Sequence, residues 1–179
     1  MPNNSKLPIF VIFTTVVLDS MGIGIIIPVM PALFAEVTGT EKISDIAIWG
    51  GLLASTFALM QFIFGPILGA LSDRYGRKPI LLLALFVMAA YYLLMGFAQT
   101  LWLLFLGRLI GGITAATHAT ANAYMADISS PEEKAARFGM LGAGFGLGFV
   151  LGPLIGGLLG DWGPRAPFFA AAMLAAANG

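Results

Sequence analysis

Gly65-Pro66-Ile67-Leu68-Gly69-Ala70-Leu71, shortly before Asp73, returns as Gly152-Pro153-Leu154-Ile155-Gly156-Gly157-Leu158, shortly before Asp161. Pro79 returns as Pro167, so the two copies stand 87 or 88 residues apart. Both lie in apolar sequence, and the interval holds three membrane-spanning helices of about 20 residues each, with their loops. An odd number of crossings turns the second copy upside down relative to the first. Inverted repeats of this kind occur in secondary transporters, whose sites lie near the bilayer midplane between the repeats.

The composition around the repeat agrees with a bilayer solvent. Of 179 residues, 59% are hydrophobic and 10% charged, with mean hydropathy +0.92, whereas soluble domains carry about 25% charged residues. Six apolar runs lie between the charges: Leu7 to Met30, Ile48 to Leu71, Ile80 to Ala98, Leu101 to Met125, Phe138 to Gly160, and Pro167 onward. The first five hold between about 19 and 25 residues each, enough to cross a hydrocarbon core as helices. The sixth is shorter, and the chain is expected to stop inside that helix. A cleaved signal peptide is not the reading of the first run, which is too long, contains Asp19 and precedes five more apolar segments. The expected fold is therefore all-α, a bundle of transmembrane helices.

Basic residues orient the bundle. Lys6, Arg74, Arg77, Lys78, Lys134 and Arg137 fall on one side, and Lys42 and Arg165 on the other. The positive-inside rule puts the first group and the N-terminus in the cytoplasm. The loop between the first two spans holds Glu36, Glu41 and Asp45, which agrees but counts weakly.

Several classes drop out. The formal net charge is zero and no basic block exists, so nucleic acid is not an expected partner. Cysteine is absent and there is one histidine, which removes disulfides, thiol catalysis and iron–sulfur ligation and gives no case for a zinc site. No G-x-S-x-G, H-E-x-x-H, Walker loop or complete G-x-G-x-x-G is present, so the chain does not read as an enzyme.

Two charges lie deep in apolar sequence: Asp19 in the first span and Arg108 in the fourth, 89 residues apart and so near equivalent places in the two repeats. A charge at a helix centre costs on the order of 2.5 to 3.5 kcal/mol on insertion scales. A buried carboxyl group can escape that cost by taking up a proton, which guanidinium cannot. Asp19 is the candidate proton carrier; the alternative is a structural Asp19–Arg108 pair holding helices together. Gly22, Gly24, Pro28 and Pro31 give the first span a bend and a close approach. Gly107 and Gly111, with Gly112 and Ala116, are small-residue contacts on the fourth. Thr114, His118 and Asn122 recur every four residues and are expected to face a substrate cavity together with Gln61; interhelical hydrogen bonding is the competing use of that stripe.

Gly69-Ala-Leu-Ser-Asp73-Arg74-Tyr-Gly76-Arg77-Lys78 resembles the loop signature G-x-L-x-D-R-x-G-R-[KR] of the major facilitator superfamily. Gly139, Gly148, Gly152, Pro153, Gly156 and Gly157 resemble the fifth-span pattern G-x8-G-x3-G-P-x2-G-G associated in that superfamily with drug-exporting antiporters. Leu18-Asp19-Ser-Met-Gly-Ile-Gly24, Gly107-Arg108-Leu-Ile-Gly-Gly-Ile-Thr114, Ala126-Asp127-Ile128 and Ala166-Pro-Phe-Phe169 look most like the tetracycline/proton antiporters among twelve-span exporters. The resemblance implies the N-terminal half of such a transporter, with repeats roughly at 7–98 and 101–179 and a C-terminal half beyond this sequence. It implies efflux of a drug-like molecule such as tetracycline in exchange for protons, with Asp19 and Arg108 in coupling and the Asp73, Arg74, Arg77 loop locking the halves. A half alone would not transport. The proton gradient would supply the energy with no bound cofactor, a divalent cation would accompany a tetracycline, and the setting would be a bacterial inner membrane. Ala90-Tyr91-Tyr92 departs from the acidic residue that tetracycline exporters place before a third-span tyrosine, and His118 and Asn122 stand where those exporters have small residues. A proton-coupled uptake symporter is the alternative function.

Overall fold

The structure, a computed structural model, describes residues 6–40, 42–115 and 117–178. Glu41 and the side chain of Lys6, both used above to orient the chain, lie outside the described residues. Among the described residues eight α-helices follow one another: α1 (Lys6–Ile26), α2 (Met30–Thr38), α3 (Ile43–Tyr75), α4 (Arg77–Phe97), α5 (Leu101–Thr114), α6 (Thr117–Ile128), α7 (Lys134–Gly160) and α8 (Ala166–Asn178). They make five stretches long and apolar enough to cross a membrane, Pro8–Thr38, Ile43–Tyr75, Arg77–Phe97, Leu101–Ile128 and Lys134–Gly160, and the shorter apolar α8. The first and fourth spans are each described as more than one helix. The first passes through a 3-10 turn at Ile27–Val29, where Pro28 and then Pro31 each remove an amide donor from the helical ladder. In the fourth, α5 ends at Thr114 with Ala115 at φ −65° and ψ 0°.

Hydroxyl groups within these helices bond back to their own turns. Ser20 donates to the Val16 carbonyl at 2.6 Å, Thr56 to Leu52 at 2.8 Å, and Thr114 reaches the Ile110 and Gly111 carbonyls, both at 3.1 Å. A hydroxyl in hydrocarbon has no water to bond, so this use of the i−4 carbonyl is the local solution. Gly76 and Gly163, at φ +97° and +123°, make the turns from α3 to α4 and toward α8. Side chains rarely adopt that conformation.

The tightest helix pairings are α1 with α7, α3 with α5, and α4 with α8. In span numbers these are first with fifth, second with fourth, and third with sixth. Exchange of the two halves of the bundle turns the first pairing into the second and leaves the third as itself. Glycine makes the approach possible in both exchanged pairs. A Cβ on Gly152 of α7 would lie 2.7 Å from Gly24 Cα of α1, and one on Gly112 of α5 would lie 2.7 Å from Met60 Cβ of α3. Without a hydrophobic drive inside lipid, such close backbone packing is what holds helices together.

Each end of the bundle is tied by one arginine. On the basic face Arg77, which begins α4, donates from Nε to Asp127 Oδ2 at 3.0 Å, where α6 ends. On the opposite face Arg165, just before α8, donates from Nε to Glu36 Oε1 at 3.0 Å, near the end of α2. Arg165 also donates to the Gly96 and Ala98 carbonyls at 2.8 and 2.7 Å. The larger apolar core gathers around Leu33, Leu85, Met95, Leu104 and Phe168, and a smaller one around Ile12, Met125 and Leu141. By contrast α3 and α7 leave large side chains uncovered, among them Phe62 at 80% and Val150 at 71% exposure.

Candidate functional site

Asp19 is 4% exposed in the middle of α1. The helix geometry sends it toward α4 and α6 while Gly22, one turn on, lets the Tyr92 ring lie against α1; a Cβ there would be 3.1 Å from Tyr92 Oη. Tyr91 packs 4.8 Å from Tyr92, ring centre to ring centre, in space that Gly111 leaves open. Together with Ile23, Phe57 and Arg108 these residues line a central cavity of about 210 Å³. Asp19 and Arg108 thus border one cavity without forming an ion pair. The Arg108 guanidinium stands 5.7 Å above the Phe57 ring centre, and its Nε is buried without a hydrogen-bond partner among the described residues.

The partner of Asp19 is His118, whose Nδ1 lies 3.0 Å from Oδ2. Nε2 of the same ring is 3.2 Å from Ser20 Oγ, and the Phe145 ring meets its edge at 5.0 Å between centres. The other oxygen of Asp19, Oδ1, is buried with no partner among the described residues. On its far side His118 borders a second concavity of about 290 Å³, with Val16, Asn122, Phe138, Leu141 and Phe145.

The stripe of Thr114, His118 and Asn122 is therefore divided. Thr114 ends α5 and is buried on carbonyls of its own helix, whereas His118 and Asn122 ride on α6 and border the second concavity. Gln61 lies on exposed α3 and donates to the Ala115 carbonyl at 3.4 Å. Sequence reasoning overlooked Phe57, Tyr91 and Tyr92 as cavity walls. The glycines at 22 and 111 were the available signal, since each makes room for a large ring.

At the loop, Asp73 and Arg77 form an ion pair of 2.5 Å, and Arg77 Nη1 donates to Ser72 Oγ at 2.7 Å. Ser72 in turn donates to the Gly69 carbonyl at 2.7 Å. Gly76 makes the turn that brings Arg77 back to Asp73. Arg74 lies 5.4 Å over the Tyr75 ring, and Lys78 edges a groove with Thr15 and Tyr124. Neither joins the Asp73–Arg77–Asp127 network. In the fifth span Gly148, Gly152 and Gly156, with Gly144, form the stripe against α1, and Pro153 Cδ abuts Gly24. Gly139 and Gly157 have open space on their Cβ side.

The family model of the Major Facilitator Superfamily matches residues 12–179. The chain is 49% identical to the class B tetracycline resistance protein of Escherichia coli, over 96% of this chain and 41% of that one. It is 32% identical to multidrug resistance protein 2 of Bacillus subtilis, over 97% of this chain and 42% of that one. Its fold superposes on the crystal structure of the human organic anion transporter MFSD10 with a TM-score of 0.83 at 29% identity, covering 99% of this chain and 46% of that one. The chain thus spans less than half the length of these relatives.

Proposed function

The chain belongs to the Major Facilitator Superfamily, and on that premise we propose that it is the N-terminal half of a multi-pass transporter exporting a drug-like small molecule in exchange for protons. The observation that carries this reading is Asp19: a carboxyl group 4% exposed in a membrane-spanning helix, one oxygen held by His118 and the carboxyl bordering a cavity. Such a group is costly unless it binds a proton or a cation. The tetracycline and multidrug resistance proteins among the relatives support a drug as the cargo. At about 210 Å³ the central cavity is smaller than the roughly 300–1,000 Å³ of a drug-sized site. A second half would supply the remaining wall, against the uncovered faces of α3 and α7.

In this mechanism two three-helix repeats, 7–98 and 101–179, move as one body against that second half. Arg108 faces the cargo opposite Asp19, Gly148, Gly152 and Gly156 hold α7 to α1, and the Asp73–Arg77–Asp127 network closes the basic face, which we assign to the cytoplasm of a bacterial inner membrane. Proton and drug compete for the cavity, each favouring one orientation, since a ligand with equal affinity for both shifts neither. Full-length protein in proteoliposomes, given tetracycline as probe, should move protons against the drug. Asp19→Asn should abolish that movement and leave insertion intact. Tetracycline entering with protons would instead make this an uptake symporter, and undiminished exchange in Asp19→Asn would remove Asp19 from the mechanism.

A further inference from the structure

We propose that His118 is the relay through which Asp19 gains and loses its proton. This rests on the reading of Asp19 as the proton carrier and adds the route. Hydrogen positions follow from the contacts. Ser20 Oγ lies 2.6 Å from the Val16 carbonyl, so its hydrogen is committed there and its oxygen is left to accept. His118 Nε2, 3.2 Å away, must then donate. With hydrogen on Nε2, the contact of Nδ1 with Asp19 Oδ2 at 3.0 Å has two forms. In one, a neutral imidazole accepts from a protonated carboxyl; in the other, an imidazolium donates to a carboxylate. Both forms hold one proton between the residues, and the pair as a whole is neutral.

Unloading then needs two transfers. The Asp19 O–H bond breaks as Nδ1–H forms, giving carboxylate and imidazolium. The imidazolium next releases its Nε2 proton to water in the second concavity, and Ser20 turns its hydroxyl from Val16 to donate to the freed Nε2. Loading reverses these steps. Imidazole is suited to this because its two nitrogens accept and release protons on opposite sides of one ring.

Position gives the route its direction. From Asp19 the second concavity runs back along α1 to Val16 and along α7 to Phe138, toward the face that carries Arg77 and Arg137. The central cavity runs the other way along the first span, to Ile23, Ile27 and Met30. His118 therefore separates a proton path on the basic side from a cavity that Asp19 shares with the cargo. The charged and titratable groups facing the pair from the packed elements are Tyr91 and Tyr92 of α4 and Arg108 of α5, all around the central cavity. From α7 the ring meets Phe145, and on α6 its neighbour in the concavity is Asn122. Among the described residues no second carboxylate borders either cavity, so the carboxyl that exchanges with the imidazole is Asp19.

The test uses the full-length transporter in proteoliposomes with tetracycline. His118→Gln retains an amide that can hydrogen-bond to Asp19 and Ser20 but cannot ferry a proton. Tetracycline-driven proton movement should fall by about 100-fold or more, in the range that general acid–base groups contribute. Exchange of tetracycline for tetracycline at equal pH needs no net proton transfer and should fall by far less than the proton movement, and added imidazole should restore part of the proton flux to His118→Ala. Wild-type proton flux in His118→Gln overturns the relay, and so does loss in His118→Ala alone without imidazole rescue, which marks a packing role. Asp19→Asn separates the two levels. If it abolishes proton flux while His118→Gln does not, antiport stands and the relay falls; if it leaves the flux intact, the reading of Asp19 falls and the relay with it.

Discussion

Arg108 keeps its charge in the central cavity with a ring beneath it rather than a carboxylate beside it. A guanidinium over an aromatic face is attracted by about 0.5–2 kcal/mol, the upper end when desolvated. Arg108→Lys preserves the charge but not the flat, delocalised group that lies along Phe57. It should lower the melting temperature of the full-length protein in detergent, as should Phe57→Leu. Because the two changes remove one contact, the double variant should melt close to the worse single one. Additive losses would mean that the side chains do not support each other. At this scale the sequence exposed the two buried charges, since Asp and Arg stand out in apolar runs. It left their contacts open: Asp19 meets His118, and Arg108 meets Phe57.

Between elements, the seam of α1 and α7 gives a sharp contrast between adjacent glycines. A Cβ on Gly156 would run into the Ile25 carbonyl, a backbone group that cannot swing aside, whereas one on Gly157 meets nothing within 4 Å. Gly156→Ala should therefore cost about 1–3 kcal/mol through overpacking, or force α1 and α7 apart. Gly157→Ala should be neutral or stabilise by up to about 1 kcal/mol through helix propensity. Yield of monodisperse protein and thermal melting read both. Equal behaviour of the two variants would contradict the seam. The motif spacing Gly148, Gly152, Gly156 was visible as an i, i+4 row, which fixes one helix face. Which helix that face touches was not, because periodicity names a face and never its partner.

Across the whole molecule, two arginines at opposite ends perform related tasks with unequal strength. Arg77 meets two carboxylates and a hydroxyl, while Arg165 meets one carboxylate and two backbone carbonyls. Exposed ion pairs contribute up to about 1 kcal/mol, and hydrogen bonds to charged groups about 1.5–3 kcal/mol each. Arg165→Ala should thus destabilise full-length protein clearly more than Glu36→Ala, which leaves both carbonyl contacts in place. Equal melting temperatures would show the carbonyl contacts to be idle. The assignment of faces has its own check, helped by the absence of cysteine from these 179 residues. An impermeant maleimide outside intact cells should label Ser44→Cys and spare Ser130→Cys; the reverse would invert the topology.

The sequence by itself determined the helical, membrane-embedded character of the chain and the number and limits of its apolar runs. These are one-dimensional properties: a hydrocarbon solvent demands about 20 apolar residues per crossing. Only the tertiary structure decided what the buried charges touch. Ser20 and His118 are 98 residues apart in the chain, and their meeting depends on how α1 seats against α6 and α7. The polar stripe was divided for a related reason: Thr114 bonds to carbonyls of its own helix while His118 meets Asp19 across helices. Tyr91 and Tyr92 became cavity walls because glycines on facing helices left them room. Contacts of that kind arise from shape fitted across helices, where the sequence records each partner and packing decides the pair.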